Sequence, residues 1–176
     1  MEMLEIYNEK FEKTGKAVSR EKAHREGYLH KTVHVWIVNF ENRVIIQQRS
    51  LNKKNQPGKW DISCAGHISF GETPLEAAVK EVKEELGLEI IESLFTYIST
   101  FEKHYIKGNI NDHEIYDTFL VRMSVDLDQI KYDREEVNAV SLMDKNLFFD
   151  FAEKNEDYLY NKDEYSLIRK ILSKNY

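Results

Sequence analysis

Residues 66–88, GHISFGETPLEAAVKEVKEELGL, constrain this chain more than any other stretch. A glycine-bearing loop leads to Thr73, which can cap a helix, and to Pro74, which the first helical turn tolerates. Gly87 then supplies a residue that can end the helix in the left-handed conformation. At about 100° per residue, Glu84 and Glu85 fall about 60° and about 40° to either side of Glu81, on one helix face. Leu75, Ala78, Val79, Val82 and Leu86 occupy a separate arc of about 100°, the width of a core-facing stripe. One side is anchored, and the other presents three carboxylates. Like charges at this spacing each cost a few tenths of a kcal/mol. A hard divalent cation removes that cost, and Mg²⁺ is typically held by a few carboxylates plus substrate phosphate oxygens. An acidic helix face is more often simply solvated, so the carboxylates alone decide nothing.

The spacing across the whole stretch does decide. It resembles the box of the Nudix family: Gly66, Glu72, Lys80-Glu81, Val82, Glu84-Glu85, Gly87 and Leu88 fall on its fixed positions. Lys80, where the family has arginine, is the single departure. The resemblance implies an α+β fold in which a mixed β-sheet is sandwiched between helices, the box forming a loop-helix-loop at a metal site. It also implies Mg²⁺ or Mn²⁺ on Glu81, Glu84 and Glu85, with the Gly66 carbonyl as a further ligand. Glu72 and Lys80 are then a structural ion pair, and lysine makes a point contact where arginine could fork.

The 176 residues fit one domain. They are expected to divide into an N-terminal extension (1–29), a core (30–141) and C-terminal helices (142–176). A net charge of −6 argues against nucleic acid or an anionic membrane as partner, and an acidic protein acting on an acidic substrate needs a cation. Cys64 is the one cysteine, which fits a reducing compartment, and no apolar run has signal-peptide or membrane-span length. The expected location is cytoplasmic.

Along the chain, residues 4–7 and 17–18 read as an N-terminal hairpin, a fold addition that often supports a homodimer. Ser19 reads as the cap of a short helix through Arg25. Residues 31–39 and 43–48 are β-branched-rich and should pair as a hairpin. A polar loop, 51–59, precedes an extended run from Trp60. Strands are expected over 89–101, 114–125 and 135–141, with a loop at 108–113, and helices from Asp144 to about 151 and over 162–173.

Within the family, residues 20–90 look most like isopentenyl-diphosphate isomerase, on Arg49-Ser50, Lys53-Lys54, Pro57-Gly58, Trp60 and Gly66-His67, with His24 and His30 upstream. That enzyme carries a cysteine immediately before its Gly-His, where this chain has Ala65. Cys64 is one residue off, and in an extended segment it points to the opposite face. The isomerase also lacks the full glutamate pattern that is complete here. The expected activity is therefore hydrolysis of a pyrophosphate bond, in a nucleoside diphosphate linked to another moiety or a related organic diphosphate. A prenyl-diphosphate isomerase and a catalytically silent nucleotide-binding module are the alternatives. The general base is either Glu81 or an acid from another loop, with Glu114 the first candidate and Glu135 or Glu136 behind it. Arg49, Lys53 and Lys54 would meet the phosphates, Trp60 would wall the substrate and His67 would line the site. His24, His30 and His34 are further histidines to be weighed as metal ligands against ordinary packing.

Overall fold

A computed structural model describes residues 2–108, 110–155, 159 and 161–174. The chain starts with β1 (Met3–Tyr7) and β2 (Lys13–Ser19), an antiparallel hairpin, followed by α1 (Arg20–Glu26). Ser19 accepts a hydrogen bond from the Lys22 amide, as an N-cap should, and Gly27 closes the helix at φ 70°. Next come β3 (His30–Val38), β4 (Arg43–Arg49), β5 (Trp60–Asp61) and β6 (Cys64–His67), then the box helix α2 (Pro74–Leu86). The chain continues with β7 (Phe95–Lys107), β8 (Ile110–Arg122), β9 (Val137–Asp144), α3 (Lys145–Lys154) and α4 (Lys162–Ser173).

Strand β3 is the centre of a mixed sheet. It runs parallel to β8 from His30 opposite Glu114 to Val38 opposite Arg122, and antiparallel to β6 from Thr32 opposite His67 to Val35 opposite Cys64. Its alternation is buried on both faces, so it reads as a nearly continuous apolar run. Val33, Val35 and Ile37 pack with Ala77, Ala78, Val82 and Leu86 of α2. On the other face Trp36 packs with Phe148, Phe149, Tyr165 and Ile168 of α3 and α4. The expected sandwich of a sheet between helices is observed.

Three expectations change. The β3–β4 hairpin is paired in the sheet only at Val38 opposite Val44; β4 then leaves β3 to pair with β9 and β5. Residues 89–94 are not strand: Ile90 is buried, residues 92–94 form a 3-10 turn, and β7 begins at Phe95, opposite Val121 of β8. The loop expected over 108–113 is a tight turn, with Gly108 at φ 58° and strand resuming at Ile110.

Candidate functional site

The box helix begins with a complete capping box, Thr73 accepting from the Glu76 amide at 3.3 Å and Glu76 from the Thr73 amide at 2.8 Å. Gly87 ends it at φ 66°, and a side chain there would meet the Lys131 carbonyl at 2.6 Å. In the loop, Glu72 accepts from the Ser69 amide at 2.9 Å and from Lys80 at 3.0 Å. Lys80 also lies 3.7 Å from Glu81. Lys80 thus ties the loop to the helix through Glu72.

Glu81, Glu84 and Glu85 all line one cavity of about 480 Å³. Glu84 is exposed, whereas Glu85 is only 5% exposed and accepts a hydrogen bond from Gln47 at 2.8 Å. Cys64 also hydrogen-bonds to Glu85, and burial pushes that carboxyl upward while these partners and Lys53 oppose the shift. Burial and the charge of Glu85 push Glu81 up to about 7. Such crowding of like charge is what a divalent cation relieves, and the donor set is all oxygen, which suits Mg²⁺ or Mn²⁺.

The remaining walls come from distant parts of the chain. Arg20 and Glu2 enter from the N-terminal extension, held by Arg20 N to Glu2 O at 3.1 Å and by a side-chain pair at 3.2 Å. Asp133 and Glu136 enter from the segment before β9, whose amides at Lys131 and Asp133 donate to the carbonyls of Leu86 and Glu85. These orphan carbonyls at the end of α2 therefore fix a second acidic wall. Among the lining residues only Arg20 and Lys80 are cationic.

The expected basic side sits differently. Arg49 is tied to Asp61 at 3.6 Å and to the Asn55 carbonyl at 3.2 Å, Lys53 pairs with Glu136, and Lys54 is exposed. None of the three lines the cavity, although Lys53 and Arg49 act electrostatically on Glu85. Trp60 is half-buried, edge-on to Phe151 beside the α3–α4 core.

His67 and Glu114 belong to another group, on the opposite face of β6 from Gly66. His24, His30, His67 and Glu114 each offer a ligand atom, all within 4.8 Å of one another. His30 Nδ1 donates to the Tyr28 carbonyl at 2.8 Å, which leaves Nε2 with a lone pair, buried and without a hydrogen bond. Asp112 Oδ1, also buried and unbonded, lies 3.6 Å from His24 and 3.8 Å from His30. His24 and His67 bring their Nε2 atoms to 3.0 Å. Burial holds His67 well below the ordinary imidazole range, with Arg20 adding to it, so the ring is neutral, the form that binds metal. Burial likewise pushes Glu114 upward. This donor set is rich in imidazole and suits a transition metal better than Mg²⁺.

His34 stands apart. Its Nδ1 meets Glu164 of α4 at 3.0 Å, and that fully buried carboxylate also accepts from Trp36 at 2.8 Å and Thr118 at 3.2 Å. Burial opposes charge on His34, but Glu164 outweighs it and raises the imidazole pKa. Of the residues not anticipated, some left a signal. Arg20 and His24 are four apart on one helix, Asp112 and Glu114 two apart on one strand, and Gln47 interrupts the α2-facing row of β4.

Loop, brace and carboxylate helix under a mixed sheet are the features of a Nudix domain. The chain belongs to the Nudix family, whose domain model matches residues 28–163. It is 35% identical over 160 residues to Nudix hydrolase 3 of Arabidopsis thaliana, covering 88% of this chain and 21% of that protein, so it spans about a fifth of that relative. It is 32% identical over 120 residues to an isopentenyl-diphosphate Delta-isomerase of Cereibacter sphaeroides, covering 68% and 66%. A crystal structure of a Deinococcus radiodurans protein shares the fold, with a TM-score of 0.74 at 20% identity over 96% of this chain and 98% of that one. Among the described residues, no helix is long and apolar enough to cross a membrane.

Proposed function

We propose that this chain is a metal-dependent pyrophosphohydrolase, acting on a nucleoside diphosphate linked to another moiety or on a related organic diphosphate. The observation that carries the reading is the convergence of Glu81, Glu84 and Glu85 on one cavity, with Glu81 packed against Gly66. Mg²⁺ or Mn²⁺ held by these carboxylates and the Gly66 carbonyl would offset the diphosphate charge and lower the pKa of an attacking water. The protein's own part is to position and to move a proton. Glu81 is the first candidate to take the proton from that water. Glu136 and Asp133 face the same cavity and are the next candidates for the base, whereas Glu114 lies with the histidines. Arg20 is placed to meet a phosphate oxygen.

The test is a metal-dependent screen across nucleoside diphosphates, nucleotide sugars, dinucleotides and prenyl diphosphates, repeated with Glu84→Gln and Glu85→Gln. Full diphosphatase activity in both variants would sink the reading. The histidine cluster favours a second reading, prenyl-diphosphate isomerisation, which Ala65 and the complete box oppose. Absence of deuterium exchange from D₂O into isopentenyl diphosphate would exclude it.

A further inference from the structure

Strand β4 directs Ile45 and Gln47 toward α2, and at the second of these positions an apolar core residue is expected. Gln47 is instead 2% exposed, with Nε2 donating to Glu85 Oε2 at 2.8 Å. Its Oε1 is buried without a hydrogen bond. An amide placed for its own hydrogen bonding would not leave that oxygen bare. Turned over, it would set an oxygen against the carboxylate instead, so Glu85 dictates the orientation. The strand beneath is fixed independently, with Gln47 opposite Asp61 of β5 and Val140 of β9.

We infer that Gln47 is a positioning residue for the box: it fixes Glu85 Oε2 and, with Cys64 on the same carboxylate, orients Glu85 in the cavity that it lines. This rests on Glu85 being a ligand of the box cation. A partner of this kind typically changes metal affinity or activity by about 10–100-fold when removed.

The experiment measures Mn²⁺ affinity of the full chain by EPR in a His67→Ala background, which removes the histidine cluster's contribution, beside thermal melts and kinetics at varied Mn²⁺. Gln47→Leu should weaken Mn²⁺ by about 10–100-fold. Its kcat should return toward wild type at saturating Mn²⁺, a recovery that a merely structural defect would not show. Should Gln47→Leu fail to fold, the exchanged pair Gln47→Glu/Glu85→Gln keeps an amide against a carboxylate. It should restore the melting temperature while Mn²⁺ affinity stays low. Wild-type Mn²⁺ affinity in Gln47→Leu, or in the exchanged pair, overturns the positioning role. If Glu85→Gln alone loses Mn²⁺, the hydrolase reading survives that failure; if it also binds like wild type, both fall.

Discussion

The Glu81 carboxylate lies so close to Gly66 that a Cβ on the glycine would stand 2.1 Å from its carboxyl carbon. Glycine is required here for space, since its φ is not in the left-handed region. Gly66→Ala should therefore displace Glu81 while β6 stays paired with β3. A shift of about 1 Å at such a group costs about 100-fold in rate. Steady-state kinetics and a thermal melt check this together, and an unchanged rate would count against the assignment of Glu81.

Acid stability should report the same carboxylate. Glu81 titrates at about 7 in the fold and at about 4.3 in the unfolded chain. Between these values the folded state holds a proton that the unfolded state has released. Its contribution is thus full below the window and is lost as pH rises through it. Metal-free wild type should melt progressively lower relative to Glu81→Gln from pH ~5 to ~8, by several degrees at about 2–4 °C per kcal/mol. Added Mg²⁺ should raise the wild-type melt most at the alkaline end, where the ligands are ionised. Parallel melting curves would refute the shift.

The histidine cluster should bind metal independently of the box. Co²⁺ added to the full chain should give visible absorption bands that vanish in His67→Ala and persist in Glu85→Gln. The lone pair at His30 Nε2 and the bare Asp112 oxygen are the geometric grounds. Bands lost equally in both variants would mean that the two groups act as one site.

Glu164 is expected to matter for stability and not for chemistry. Its removal orphans His34, Trp36 and Thr118 at once. Breaking a buried pair costs about 3–5 kcal/mol, so Glu164→Ala should lower the melting temperature by about 10 °C. The His34 share, from a raised pKa, is full below about 6.5 and is lost as pH rises through the folded value. Diphosphatase activity well below the melt should be retained, and its loss would place Glu164 nearer the chemistry.

What could be read in the sequence was what is determined locally. Helix α2 was legible because Thr73, Pro74 and Gly87 sit within its own length. The three box glutamates were legible for the same reason, from helical periodicity. The strand parity of His30 and His34 was equally plain, yet it could not separate their fates. His30 meets Glu114 through a parallel β3–β8 register set by a crossover, and His34 meets Glu164 on a helix 130 residues away. The loop expected at 108–113 failed for a related reason. Asn111 and Asp112 suggest a turn, but His104 takes up the first at 2.7 Å and the second is buried beside His24. Gln47 left only a polar break in an apolar row, because its partner Glu85 lies 38 residues away across the fold.

Strand β6 alternates its short run between the two groups of acids and bases. Cys64 and Gly66 face the box helix, while Ala65 packs with the α3–α4 core and His67 joins the histidines. A strand's faces exchange on a one-residue slip. Losing a single residue from the connection before β6 would swing an imidazole into the space kept for Glu81 and withdraw a ligand from the cluster. The two groups thus share one mechanical tolerance.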